Sequence, residues 1–184
     1  MVLVNGKEAP AGTWTLDPSH SEVGFVVRHA GISKVRGGFK EFQAQLTTGE
    51  TLEEFKASAD IKAASFDSGS ADRDAHVRSG DFFAVDEYPV LSFDSTSFNK
   101  DGEDEFLVEG NLTIKETTLP VVLKASFNGF AVDPFGNTRA GLEASTVISR
   151  KDFGLTWNAA LETGGVLVGD KVTITLDLSF ILNQ

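Results

Sequence analysis

The side chains best suited to chemistry near neutral pH are the three histidines, His20, His29 and His76, which lie far apart in the chain. His76 belongs to "RDAHVRSGDFFAVDEYP" (73–89). This stretch sets Arg73, Asp74 and His76 before a Ser-Gly-Asp break and Phe82-Phe83 after it, then ends on the only tyrosine, Tyr88, ahead of Pro89. His20 lies in "DPSHS" beside Asp17, Ser19 and Ser21, the residue types of a nucleophilic triad. Successive residues of a strand point to opposite faces, so an extended "DPSHS" forms no relay, and no G-x-S-x-G elbow occurs elsewhere. Metal chemistry has little support: no two histidines have H-x-x-x-H spacing and the chain has no cysteine. Neither a metal nor a cofactor is expected.

His29 is a different case. In "EVGFVVRH" it shares a face with Val23, Phe25 and Val27, which points it inward, where an imidazole needs a hydrogen-bond partner. That partner is either a core backbone group or the polar head of a ligand.

The elements that would position these residues are strands. "EFKASADIKA" alternates apolar Phe55, Ala57, Ala59, Ile61 and Ala63 with polar residues, and "EFLVEGNLTIK" does so with Phe106, Val108, Leu112 and Ile114. The same period recurs over 121–127, 140–148 and 172–182, and "TWTLD" reads as a first strand. Asp101-Gly102 and "DPFG" (133–136) have turn chemistry. Eight or more antiparallel strands, each with one apolar face, pack on a second sheet or close on themselves, and closure removes exposed edges. The fold expected is all-β, a single antiparallel barrel with one or two short helices. One helix falls over "SADRDAHVRS" (70–79) with Ser70 as N-cap, and a further turn near "RKDFG". In that helix Arg73 and His76 share a face, and Phe82-Phe83 follow at a spacing suited to a barrel end.

A barrel of this size is either filled by side chains or hollow enough for one small ligand. Ala57, Ala59, Ala63, Ala125, Ala140 and Ala144 all fall at inward positions, which favours a cavity, although small residues also complement large phenylalanines. Phe82, Phe83 and Tyr88 fit the rim of such a cavity and the cap of a packed core equally well.

Composition bounds the partners. The 184 residues carry 15 phenylalanines and a net charge of −11, which disfavours nucleic acid and anionic surfaces as general partners. The charge is uneven: residues 1–40 hold five basic and three acidic side chains, and no acid occurs between Val23 and Lys40. That stretch is either an anion-facing patch or a solvated hairpin. No segment has the roughly 18–20 apolar residues of a membrane helix, and the N-terminus has no secretory leader. A cytoplasmic location is therefore expected as the chain stands, periplasmic or secreted if a leader has been removed.

Four segments, "DPSHSEVGFVVRHAGISKVRGGF", "SFDSGSADRDAHVRSGDFFAVDEYPVLSF", "GNLTIKETTLPV" and "RKDFGL", occur in an order that resembles the YceI-like family over about residues 13 to 182. The resemblance implies an N-terminal extension (1–12) followed by a lipocalin-like barrel domain (13–184) with an internal apolar tunnel for a polyisoprenoid or similar long molecule. Glu116 departs from the pattern, standing in "IKETT" where the family usually has glycine. Candidate lining residues are Phe25, Val27, Phe39 and Phe42 from the first half of the barrel, and Ala57, Ala59 and Ile61 from the strand that follows. Phe82, Phe83, Phe93, Ile114 and Leu123 complete that set. Candidate head-group contacts are Arg28, His29, Arg36, Arg73 and His76. The function implied is non-catalytic binding of an isoprenoid, of quinone or polyprenyl type, for carriage, storage or sequestration. Two alternatives stay open: another long-chain lipid such as a fatty acid or amide, and an enzyme using His29, His76 and Asp74. Homodimerisation is also left open.

Overall fold

The computed structural model describes residues 1–159, 161 and 167–184. A two-strand hairpin, β1 (Leu3–Val4) and β2 (Lys7–Glu8), leads into β3 (Gly12–Leu16), β4 (Glu22–His29), β5 (Ser33–Phe39), β6 (Phe42–Thr48), β7 (Lys56–Lys62) and the short β8 (Phe66–Asp67). The helix α1 (Ala71–Arg78) precedes the long strands β9 (Val90–Lys100), β10 (Glu105–Ile114), β11 (Thr117–Val132), β12 (Thr138–Ser149) and β13 (Val168–Leu182). All pairings are antiparallel, and β12 pairs with β13, closing an eight-stranded barrel in the order β3-β6-β7-β9-β10-β11-β12-β13. No helix among the described residues is long and apolar enough to cross a membrane.

Breaks in the early strands give the barrel two unequal ends. β13 pairs with β3 through Phe180↔Leu16 and with β4 through Leu176↔Val23 and beyond, so β3 and β4 act as one strand interrupted at "DPSHS". β5 and β6 continue one another in the same way across Lys40-Glu41, pairing with β4 and β3 respectively. At the β4–β5 end the sheet runs out at β8, and α1 with residues 79–89 packs alongside. The opposite end is closed by a core around the fully buried Trp14, whose Nε1 donates to Thr48 Oγ1 at 2.9 Å. Val2 and Val4, 8% and 1% exposed, pack into that core from the N-terminal hairpin.

Alternation sets which side chains enter the barrel. In β7, Ala57, Ala59 and Ile61 are half-buried while Lys56, Ser58, Asp60 and Lys62 face solvent, as the period-2 pattern requires. In β10 the inward row is Phe106, Val108, Gly110, Leu112 and Ile114. Gly110 is part of a bulge and lies under the Phe93 ring, where a Cβ would come within 2.4 Å of that ring's Cζ. A second bulge between Phe127 and Gly129 shifts the register so that Phe130 packs into the same core as Phe127.

Two expectations need correction. "DPSHS" is not extended: Pro18–His20 form a single 3₁₀ turn capped by Asp17, whose carboxylate accepts from Ser19 N–H at 3.1 Å. The small inward residues also do not all border empty space. Ala63 and Ala140 are fully buried in packed core, whereas Ala57, Ala59, Ala125 and Ala144 line a cavity.

Candidate functional site

Two cavities lie in series along the barrel. The inner one, about 160 Å³, has an almost wholly apolar wall that includes Phe42, Ala57, Ala59, Ile61, Phe93 and Leu123. The outer one, about 550 Å³, is bounded by Val27, Phe82, Phe83, Ile148, Leu155, Trp157 and Val172. Phe25, Phe39, Leu91, Ile114 and Ile174 border both and mark the junction. The larger volume is within the range of roughly 300–1,000 Å³ usual for small-molecule pockets.

The junction depends on glycine. Phe25 and Gly37 are registered partners on β4 and β5, and a Cβ on Gly37 would sit 2.7 Å from Phe25 Cζ and 2.7 Å from the Asp67 carbonyl. With no side chain there, Phe25 stacks on Phe66 at 5.1 Å between ring centroids, and Phe66 meets Phe39 and Phe83 at 5.7 and 6.0 Å. On another side of the outer cavity His76 is edge-on to Trp157 at 4.5 Å and to Phe82 at 5.2 Å. Aromatic walls of this kind give large contact area with few rotamers to freeze.

The helix is tied down polar group by polar group. Ser70 Oγ caps it by accepting from Arg73 N–H, and the buried Asp74 carboxylate accepts from Ser68 N–H at 2.9 Å and Ser68 Oγ at 2.5 Å. Arg73 Nε donates to Ser68 Oγ, and Arg78 donates to the carbonyls of Ala64 and Phe66. His76 Nε2 lies 2.8 Å from Asp81 Oδ2. Residues 79–89 are fastened at their far end by the Tyr88 hydroxyl, which donates to the Glu116 carboxylate. That bond raises the Tyr88 phenol to about 12. In the turn containing Glu116 the left-handed residue is Lys115, at φ 57°.

Arg150 completes the outer cavity and was not singled out from the sequence. Its side chain is 3% exposed, and its guanidinium donates to the carbonyls of Leu155, Trp157, Val168 and Gly169 at 2.5 to 3.1 Å. Burial holds its pKa below the usual arginine range. The group knits 155–157 to the start of β13 on a bed of carbonyls.

Every candidate lining residue borders one cavity or both: Phe25, Phe39 and Ile114 the junction, Val27, Phe82 and Phe83 the outer cavity, the other six the inner one. Arg28, His29, Arg73 and His76 meet at the outer cavity's rim, joined by Ser70 and Asp72. Arg36 does not. It is opposite Val26 on the outer face of the hairpin and points to solvent, because even-numbered positions of β5 face outward. Of the alternative enzymatic set, His29 and His76 border the outer cavity, whereas Asp74 does not and is engaged by Ser68.

"DPSHS" holds a triad in name only. Ser19 Oγ and Asp17 Oδ2 both approach the same imidazole nitrogen, His20 Nδ1, and the serine hydroxyl donates to Asp17 at 2.6 Å. Asp17 also accepts from Arg139, and the Ser19 hydroxyl together with this pairing holds its carboxyl well below the usual range. The cluster is a structural staple. Among the described residues, no group of three His, Cys, Asp or Glu side chains could hold a metal ion.

The family model for the YceI-like domain matches residues 14–180. The chain belongs to the YceI-like family. A UPF0312 protein of Photorhabdus laumondii is 41% identical over 155 residues, covering 83% of this chain and 80% of its own. A UPF0312 protein of Staphylococcus epidermidis is 35% identical over 93% of this chain and 98% of its own. In structure the chain is similar to BcnA of Burkholderia cenocepacia, with TM-score 0.78, 25% identity, and coverage of 89% of this chain and 98% of that one. A polyisoprenoid binding domain from Saccharophagus degradans has the same fold at TM-score 0.72 and 15% identity, over 95% of this chain and 100% of that one. Within this YceI-like chain, "RDAHVRSGDFFAVDEYP" builds the helix and one wall of the outer cavity, and "RKDFGL" supplies Arg150 and Leu155.

Proposed function

We propose that the protein binds one long apolar molecule, an isoprenoid of quinone or polyprenyl type, and carries, stores or sequesters it. The observation that carries this reading is the serial arrangement: an apolar inner cavity, a junction of phenylalanines, and a wider outer cavity with arginine and histidine at its rim. An extended chain can occupy both cavities in series, whereas a compact ligand would fill only the outer one. Each CH₂ removed from water contributes about 0.8 kcal/mol, so several isoprene units suffice for tight binding without a specific polar contact. The rim then accommodates a head group through Arg28, His29, Arg73 and His76. The family resemblance points the same way.

A binding role is also favoured over catalysis by what the polar groups do. Asp74, Arg78 and Arg150 all hold backbone or neighbouring side chains in place. The test is native mass spectrometry of freshly purified protein, followed by solvent extraction. An isoprenoid near one per monomer supports the proposal. A fatty acid or amide at that stoichiometry would replace the isoprenoid with another long-chain lipid.

A further inference from the structure

We propose that the β4–β5 hairpin is a docking surface for an anionic lipid bilayer, with Ile32 entering the interface and Lys34, Arg36 and Arg28 meeting the head groups. Three observations converge on this hairpin. Its tip presents a large apolar side chain to water: Ile32 is 89% exposed. The tip is held in that posture, since Ala30 and Gly31 adopt φ of 54° and 73°, Ile32 N–H donates to His29 at 3.3 Å, and Ala30 N–H donates to Leu167 at 2.6 Å. A non-glycine residue in the left-handed region is unfavourable, so the tip's shape is imposed by its surroundings.

The flanks are basic in a way the isolated protein does not rationalise. Arg28 and Lys34 are registered partners directly across the two strands, and Arg36 is opposite Val26. Like charges facing one another across a strand pair are destabilising unless a counter-charge is supplied. Among the described residues, none of the three forms an ion pair with a carboxylate. Of the described acids on neighbouring elements, Asp67 lies beside Gly38 and accepts from Gly69 N–H, Asp72 is on α1 at the cavity rim, and Asp170, next to the Gly169 that packs on Arg28, accepts from Ser149 Oγ. Screening at physiological ionic strength acts over about 8 Å, so the acidic remainder of the molecule does not cancel a local basic tip.

The third observation is position. Arg28, His29 and Val35 of this hairpin border the outer cavity, so a docked hairpin sets the cavity's rim on the bilayer. A lipid surface is the partner because it alone offers both an apolar layer for Ile32 and phosphates for the basic flanks. A nucleic acid would leave Ile32 in water. Docking itself needs no ligand in the barrel; only its purpose, loading or release of the chain, rests on the proposed function.

The test is flotation of delipidated protein at 0.15 M salt with phosphatidylcholine vesicles and with vesicles containing about 30% phosphatidylglycerol. Binding to the second and not the first is expected. The I32S variant is expected to lower the partition about tenfold, and K34A and R36A roughly fivefold each, the equivalent of about 1 kcal/mol per basic residue near an anionic surface. Affinity of the same variants for a soluble long-chain probe reads the barrel separately and stays at the wild-type value, because Ile32, Lys34 and Arg36 do not border the cavities. Equal partition into both vesicle types, no partition at all, or variants that float like the wild type would each overturn the docking surface. Loss of probe binding in the wild type would instead overturn the function proposed above and leave docking standing.

Discussion

Phe25 and Gly37 face each other across the β4–β5 strand pair, and the absent Cβ of Gly37 makes the space that the Phe25 ring occupies at the junction of the two cavities. Substituting Gly37→Ala places a methyl group 2.7 Å from that ring and from the Asp67 carbonyl. One of them must move, and the β5–β8 pairing leaves the ring as the softer neighbour. We predict that G37A turns Phe25 into the junction and lowers affinity for a long-chain probe at least tenfold. Overpacking of this kind costs about 1–3 kcal/mol of stability, which denaturant titration measures alongside probe binding. Undiminished affinity in a folded G37A would show that the ligand does not pass the junction.

Arg150 gives the largest expected loss of stability. Replacing it by Met removes a donor from four buried or half-buried carbonyls, of which Val168 keeps Asn158 Nδ2, and each group left unsatisfied costs about 1–3 kcal/mol. A loss of about 3 kcal/mol or more is expected for R150M, measured by urea unfolding. R150K, which keeps the charge and loses the planar fork, is expected to recover only part of it.

How far the sequence disclosed this arrangement depends on the kind of signal. β7 was legible because strict alternation names the buried face residue by residue, and β13 less sharply, since Thr173, Ser179 and Ile181 on its other face are also half-buried. α1 was legible from Ser70 and the break at Ser79-Gly80. Arg150 was not, because its partners are backbone carbonyls, which leave no mark in residue type, and they lie up to 19 residues away. The misplacement of Arg36 has a different origin. Arg28 and Arg36 share the outward parity of Lys34, and of the two only Arg28 borders the outer cavity, so grouping them by charge overlooked position along the hairpin. Phe130 was missed because a bulge breaks the period that would have announced it.

Acid stability should centre on Arg139. It bridges Asp17 at 2.9 Å and Asp133 at 2.7 Å, joining the "DPSHS" turn to the "DPFG" turn. Arg139, with backbone N–H donors, lowers the Asp133 carboxyl to about 2, and the Ser19 hydroxyl followed by Arg139 holds that of Asp17 well below the usual range. A carboxylate depressed in the folded state stabilises fully above its unfolded pKa, near 4, and that contribution is lost as pH falls through the folded value. Wild type is therefore expected to exceed R139A in melting temperature at pH 7, with the gap shrinking between about pH 4 and pH 2. A gap independent of pH would assign Arg139 a packing role only.

Tyr88 offers a spectroscopic check, because it is the only tyrosine and its phenolate absorbance reads one group. The bond to Glu116 raises it to about 12, so the alkaline absorbance midpoint is expected there in wild type. In E116Q it should fall towards the ordinary tyrosine value of about 10. An unchanged midpoint would mean that residues 79–89 are not fastened to the β10–β11 turn in solution.

The central claim, that one long apolar chain occupies both cavities, is tested most directly by titrating delipidated protein with isoprenoids of increasing length, for wild type and A59F. Ala59 lines the inner cavity opposite Phe93 and Ala44, and a ring at that position fills it. The prediction is one site per monomer, with affinity rising with chain length in wild type. In A59F the rise should stop at the length that the outer cavity alone accommodates. No binding at micromolar concentration, or affinity that is independent of length and unchanged in a folded A59F, would contradict it.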